Sequence, residues 1–135
     1  MAKKLNPQYV AQCKAFLAEK ALGPNVITLP KGVLLEYIKH GEGSVCPTSR
    51  NVVTVNYEGR LVDGTVFDSS LDSNCPVPLR LKEVIDGWQI ALSTMHAGDK
   101  AVVYIPSDMG YGNRTEGNIP GGSALIFEIE LLAIH

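Results

Sequence analysis

Four groups of side chains in this sequence have the types that chemistry needs. Asp68, Ser69 and His96 carry the letters of a hydrolytic triad, in which a base takes the serine proton as the oxygen attacks a carbonyl. Nothing around Ser69 places it on the sharp strand-to-helix turn such a nucleophile requires, and chance composition supplies these letters in most domains. Gly110-Tyr111-Gly112 resembles part of a phosphate loop, but the third glycine is missing and no helix follows to face an anion. The cysteines (Cys13, Cys46, Cys75) and histidines (His40, His96, His135) are scattered, with no C-x-x-C pair and no zinc-ligand spacing, so free thiols, ordinary imidazoles and no metal or cofactor are expected. Asn113-Arg114-Thr115 fits a glycosylation sequon, read here as a chance tripeptide on a loop. The fourth group is aromatic: Tyr57, Phe67, Trp88, Tyr111 and Phe127 are five of the nine aromatic residues, each on or beside a predicted strand end, helix start or loop. Core packing accounts for Trp88 and Phe127. It accounts less well for Tyr111, which two glycines favour for an exposed loop, and Asp68 directly after Phe67 sets a carboxylate beside the cluster. Residue types alone therefore point to a binding pocket for an apolar group with a few placed polar atoms.

The chain that must build this pocket has 135 residues, enough for one domain that buries roughly two-thirds of its unfolded surface without disulfides or metal. With 45% hydrophobic and 19% charged residues it is globular and not disordered. Twelve basic against fourteen acidic residues is too even a balance for binding nucleic acid through its phosphates. No apolar run approaches the roughly 20 residues that span a bilayer. The opening MAKKLNPQ has lysines but no apolar stretch behind them, so no signal peptide, no membrane association and a cytoplasmic location are expected.

Helical spacing is clearest over residues 6–22. Asn6 is a good N-cap, Pro7 suits the first helical position, and Tyr9, Cys13, Phe16, Leu17 and Ala21 share one face before Gly23-Pro24 stops the pattern. This apolar stripe must cover something, either the protein's own body or a second copy or another protein. The period becomes strand-like from residue 33: Val33–Ile38, then Val53–Tyr57, with a separate strand expected to start near Arg60 after Glu58-Gly59. Asp63-Gly64 between β-formers is a hairpin signal. Residues 71–78 read as a loop or interrupted edge strand, and Leu79-Arg80-Leu81 as a strand fragment. A short helix is predicted over 86–95, with Asp86 as cap and Gln89 completing a capping box, and with Trp88, Ala91, Leu92 and Met95 on one face. Ala101–Ile105 is a strand, 107–123 a long Gly/Pro/Asn-rich loop, and Ala124–Ile134 the best-alternating strand in the chain. The class is α+β, a helix packed on one face of a twisted antiparallel sheet.

Taken together, several stretches are similar to the FKBP-type (macrolide-binding) peptidyl-prolyl cis–trans isomerases. They are Val53-Thr-Val-Asn-Tyr57-Glu-Gly, Leu61-Val-Asp-Gly-Thr-Val-Phe67-Asp68-Ser-Ser70, Glu83-Val84-Ile85-Asp86-Gly87-Trp88, Ile105-Pro106 through Tyr111-Gly112, Ile119-Pro120, and Ala124-Leu-Ile-Phe127-Glu-Ile-Glu-Leu-Leu. They follow the family's order over residues 31–135. The resemblance implies a twisted antiparallel sheet half-wrapped around one short α-helix, residues 1–30 being an N-terminal amphipathic helix and linker of the kind seen in bacterial members, some of which dimerise. It implies Trp88 as pocket floor, Tyr57, Phe67, Val84, Ile85, Ile119 and Phe127 as walls, Asp68 and Tyr111 as polar rim groups, and the Ile85 N–H as a ligand donor. Asp68, Tyr111, Trp88 and Phe67 would carry catalysis. Three departures stand out. Ser73 and Val77 stand where many members have a basic and an aromatic residue, which thins the wall at Val77. The stretch 113–118 is about one residue short, and Gly121-Gly122 follows Ile119-Pro120 where a second proline is common.

The implied activity is rotation of X–Pro bonds in peptides and unfolded clients, with macrolide inhibitors as further ligands and a homodimer through the N-terminal helix as a possible assembly. That rotation has a barrier of about 18–20 kcal/mol and breaks no bond, so it needs no nucleophile, metal or cofactor. The competing expectation is a binding module in which the pocket or the helix face holds a partner and isomerisation is incidental.

Overall fold

The computed structural model of the protein describes residues 5–70 and 75–135. Helix α1 (Pro7–Ala21) precedes strands β1 (Val26–Thr28), β2 (Leu34–Lys39), β3 (Val52–Arg60), β4 (Val66–Ser69) and β5 (Val77–Arg80), then helix α2 (Asp86–Leu92), β6 (Lys100–Ile105) and β7 (Leu125–Ile134). All seven strands pair antiparallel in one sheet, in the order β1-β2-β6-β7-β3. Beyond β3 the sheet divides: its first half pairs with β5 and its last residues with β4.

The alternation seen in the sequence sorts the two faces of this sheet. Val53 and Val55 of β3, Ala101, Val103 and Ile105 of β6, and Leu125, Phe127, Ile129 and Leu131 of β7 are buried toward α2, which contributes Trp88, Ala91 and Leu92. On the opposite face, neighbouring strands align Leu34, Tyr104, Ile126 and Arg60 in a row, and α1 lies over it. Asn6 caps α1 by accepting from the N–H groups of Gln8 (3.0 Å) and Tyr9 (3.2 Å). The helix buries Cys13, sets Phe16 6.0 Å from the Tyr104 ring, and hydrogen-bonds Tyr9 to Ser123 at 2.8 Å. Part of its apolar stripe, Cys13 and Phe16, thus packs on the chain's own body, while Ala21 is exposed.

Four local expectations differ from what forms. Strand β3 runs unbroken through Glu58-Gly59, because Gly59 serves a close approach of side chains and not a turn. A short strand, β1, lies ahead of residue 31 in what reads as linker, and three residues are too few to show a period. The cap position of α2 is Ile85 and Asp86 is its first residue; Gln89, instead of completing a capping box, donates to the carbonyls of Val84 (2.8 Å) and Lys82 (3.4 Å). The same helix stops at Leu92, where Ser93 and Thr94 hydroxyls donate to the carbonyls of Ile90 and Ala91 at 2.8 Å. The expected hairpin forms as a five-residue connection between β3 and β4, in which Leu61 N–H reaches Thr65 O at 2.9 Å and Gly64 takes φ +91°. Of the expected loop at 71–78, Cys75 and Pro76 precede β5, Val77 and Pro78 are already within it, and Ser73 lies outside the described residues.

Helix α2 rests on the sheet through Gly87, where a Cβ would lie 2.5 Å from Ile105 Cγ2. Gly87→Ala is expected to lower stability by about 1–3 kcal/mol through overpacking, read as a lower urea midpoint at unchanged slope.

Candidate functional site

The inner face of the sheet leaves a cavity of about 270 Å³ beside the start of α2, lined by Tyr57, Asp68, Leu79, Glu83, Val84, Ile85, Trp88, Tyr111 and Phe127. Seven segments meet there. Strand β3 brings Tyr57, β4 Asp68 and β5 Leu79. The turn Leu81–Glu83 leads into Val84 and Ile85, and α2 follows with Trp88. Phe127 comes from β7 and Tyr111 from the loop after the 3₁₀ turn Ser107–Met109.

Its floor is a set of rings meeting edge to face. Trp88 is 4% exposed, and its ring centroid lies 5.1 Å from that of Tyr57 at 83° and 5.2 Å from that of Phe127 at 85°. Phe67 meets Phe127 at 5.5 Å and 87°. This geometry places positive ring edges on negative faces and contributes about 0.5–1.5 kcal/mol per pair beyond area burial. The buried indole Nε1 has no hydrogen-bond acceptor among the described residues. Cα partners across the sheet fix the arrangement, Gly59 lying opposite Phe127 on one side and Asp68 on the other.

Polar atoms gather at the mouth. The Tyr57 hydroxyl donates to Asp68 Oδ2 at 2.7 Å, and Ser70, paired with Tyr57 through its backbone, anchors the end of β4. Burial, then the Asp68 hydrogen bond and charge, push the Tyr57 hydroxyl well above the usual phenol range, so it remains a donor. Tyr111, 38% exposed, is pushed up by burial and by the charges of Asp68 and Glu116. At the entry to α2 the Ile85 carbonyl accepts from the N–H groups of Trp88 (3.0 Å) and Gln89 (3.2 Å), while its own N–H has no acceptor among the described residues. The site therefore offers an apolar ring floor, one backbone donor without an acceptor among the described residues, the carboxylates of Asp68 and Glu83, and two phenols. Among the described residues no group of His, Cys, Asp and Glu could hold a metal ion.

Of the residues singled out from the sequence, the cavity collects Tyr57, Asp68, Val84, Ile85, Trp88, Tyr111 and Phe127. Phe67 stands behind it, its ring against Phe127. Ile119 is buried at 6% exposure in the core, and Val77 opens β5 opposite Val55; neither lines the cavity. Leu79 and Glu83 do line it and were not singled out. The alternation Val77-Pro78-Leu79, placing Val77 and Leu79 on one face of a strand, was the available signal for Leu79; Glu83 gave none.

A family model described as FKBP-type peptidyl-prolyl cis-trans isomerase matches residues 43–132. The chain is 42% identical over 122 residues to a peptidyl-prolyl cis-trans isomerase Mip of Coxiella burnetii, covering 90% of this chain and 53% of that one. It is 45% identical over 107 residues to the FK506-binding protein 1A of Aspergillus fumigatus, covering 77% of this chain and 96% of that one. A crystal structure of a peptidyl-prolyl cis-trans isomerase from Pseudomonas syringae superposes with a TM-score of 0.89 at 36% identity, over 99% of this chain and 98% of that one. The chain spans about half the length of curated relatives such as the Coxiella protein. No helix among the described residues is long and apolar enough to cross a membrane.

All five tyrosines, Tyr9, Tyr37, Tyr57, Tyr104 and Tyr111, are pushed above the ordinary phenol value, burial being the largest cause in each. A folded-state value above the unfolded one contributes stability that is complete below the unfolded value, about 10, and is lost as pH rises beyond it. Absorbance at 295 nm is expected to show phenolate in the native protein only at higher pH than in the urea-unfolded chain. The urea midpoint should fall steadily above pH about 10.

Proposed function

Because this chain belongs to the FKBP-type peptidyl-prolyl cis–trans isomerases, we propose that it accelerates rotation about X–Pro bonds in peptides and folding proteins, with the prolyl ring seated on Trp88. The observation that carries this reading is the ring floor itself: Trp88 held edge-on by Tyr57 and Phe127 at the base of an open cavity whose hydrogen-bonding groups lie at the mouth. A planar X–Pro amide is polar because resonance separates charge across it, and water favours that planar form. Stripped of water among Trp88, Val84, Ile85 and Phe127, the amide loses that preference, and the twisted, less polar arrangement at the top of the barrier is favoured relative to it. The Ile85 N–H, the Tyr57–Asp68 pair and Tyr111 hold the substrate backbone while the bond turns. No proton need be exchanged. The same pocket would accept macrolide inhibitors, which place an apolar ring and carbonyl groups where the prolyl residue and its neighbours sit.

The test is the cis-to-trans rate of Leu-Pro and Ala-Pro peptides with and without rapamycin, for the wild type and Trp88→Ala. Rapamycin-sensitive acceleration, reduced about tenfold or more in Trp88→Ala (1.4 kcal/mol per decade), supports both the activity and its pocket. No acceleration by folded wild type would leave a binding module on this scaffold. Asp68→Ala, which removes a positioning group from the mouth, is expected to lose less, about two- to fivefold. Neither histidine nor cysteine, the side chains whose ordinary ionisation falls nearest neutrality, lines the cavity. The rate is therefore expected to be flat between pH about 6 and 8, and a bell-shaped profile centred near neutrality would contradict the mechanism.

A further inference from the structure

Beyond the C-terminal end of α2, away from the pocket at its start, a thiol, an imidazole and a carboxylate are brought together. Cys46 lies in the segment joining β2 to β3, and its Sγ is 3.3 Å from His96 Nε2. His96 and Asp99 lie in the turn joining α2 to β6, with His96 Nδ1 3.5 Å from Asp99 Oδ2. Asp99 is 1% exposed. Its Oδ1 accepts the Gly41 N–H at 2.6 Å and its Oδ2 the His96 backbone N–H at 2.8 Å. Burial opposes the charge on Asp99, but these two donors and the His96 ring outweigh it and keep the carboxyl below its ordinary range. A fixed carboxylate facing Nδ1 favours the imidazole with its proton there and leaves the Nε2 lone pair for the thiol.

The two segments are locked backbone to backbone, so this is more than two surface side chains meeting. Gly43 N–H reaches the Ala97 carbonyl at 3.2 Å. A Cβ at Gly41 would overlap the backbone of Ala97 and Gly98, and one at Gly43 would lie 2.8 Å from Ala97 N. Pro47, next to Cys46, is buried. Cys46 is half-buried and the His96 side chain 39% exposed, so a small reagent can reach the sulfur while the base stays in place. Among the described residues the other thiols have no imidazole partner. Cys13 is buried at 2% exposure on the inner face of α1, and among the described residues the exposed Cys75 has a 3.8 Å contact to the carbonyl of Pro76.

We propose that Cys46 is a nucleophilic modification site that forms a mixed disulfide with low-molecular-weight disulfides, with His96 as general base and Asp99 as its positioning residue. Cys46 Sγ attacks one sulfur of the reagent as its proton passes to His96 Nε2. The new S–S bond forms while the reagent's own S–S bond breaks, and the departing thiolate takes the proton back from the imidazolium. One disulfide and one thiol enter, one disulfide and one thiol leave, and no external oxidant is needed.

The intact chain contains its own control, because exposure alone would make Cys75 the faster thiol. Treated with 2-hydroxyethyl disulfide at pH 7, acid-quenched and mapped by peptide mass spectrometry, the native wild type is expected to gain the adduct at Cys46 about tenfold faster than at Cys75, with Cys13 untouched. In His96→Gln, which keeps an acceptor but not a base, the Cys46 rate should fall to that of Cys75 or below while the Cys75 rate stays the same. In concentrated urea the wild-type preference should vanish, a measurement that stands even if the variant fails to fold. Equal or faster reaction at Cys75 in the native wild type, or a lead of Cys46 that persists in His96→Gln or in urea, would overturn the proposal.

Discussion

Two phenylalanine rings meet over a residue that has no side chain. At Gly59 a Cβ would lie 2.7 Å from both Phe127 Cε1 and Phe67 Cζ, closer than real side chains approach, and the pocket's interior depends on that vacancy. Because Gly59 is flat, Phe67 of β4 can lean across β3 onto Phe127 of β7. Because Phe127 is held from behind, it presents its edge or face to Trp88, and Trp88 to Tyr57. Gly87 plays the corresponding part from the helix side, letting α2 settle on Ile105 with Trp88 in reach of the rings. The floor is therefore shaped by two missing methyl groups and by ring packing. Hydrogen bonds enter only at the mouth, where a phenol–carboxylate pair and one backbone N–H face the solvent.

The same sheet supports a second helix on its other side, and that support reaches the site indirectly. Helix α1 lies over the row Leu34, Tyr104, Ile126 and Arg60, and its first turns touch the segment after Pro120. Gly122, at φ +80°, passes so close to Val10 that a Cβ would lie 2.6 Å from its Cγ2, and Tyr9 bonds Ser123. The N–H of Gly122 in turn reaches the Gly112 carbonyl at 2.9 Å, one residue from Tyr111. An element outside the pocket thus braces the loop that supplies one of its phenols.

Much of this was legible in the residues, and the reasons differ by element. Strand β7 alternates over ten residues and α1 repeats over four turns, so period alone identifies both. Period fails where an element is shorter than the pattern that would reveal it, as at Val26–Thr28. It also fails where a residue's usual meaning is overridden by its neighbours. Gly59 reads as a break until the rings beside it are known, and Asp86 reads as a cap until Gln89 is seen to bond the carbonyls that precede it. The pocket was legible as a set of residue types and by resemblance, because aromatic residues near strand ends gather wherever a sheet curls around a helix. Leu79 and Glu83 could not be placed so easily: they enter the lining because β5 pairs with the first half of β3 and the chain then turns sharply at Leu81–Glu83. Phe67, Ile119 and Val77 belong to the same segments but are not among the residues that line the cavity, a distinction that spacing does not encode.

The position of β7 bears on how such a pocket comes into being. It follows every other strand in the sequence, yet it lies in the middle of the sheet, between β6 and β3. In a chain made from its N-terminus, the pairs β3 with β4 and β5, and β2 with β6, are complete in sequence before residues 125–134 are available to join the two halves between them. Until that moment Trp88 has no Phe127 to lean on and the cavity does not exist. The pairings of β7 join residues far apart in sequence, the class of contact that slows folding and leaves strand edges unpaired until it forms. The ring floor thus belongs to the part of the molecule whose contacts reach furthest along the sequence, and it shares the fate of the sheet's central seam.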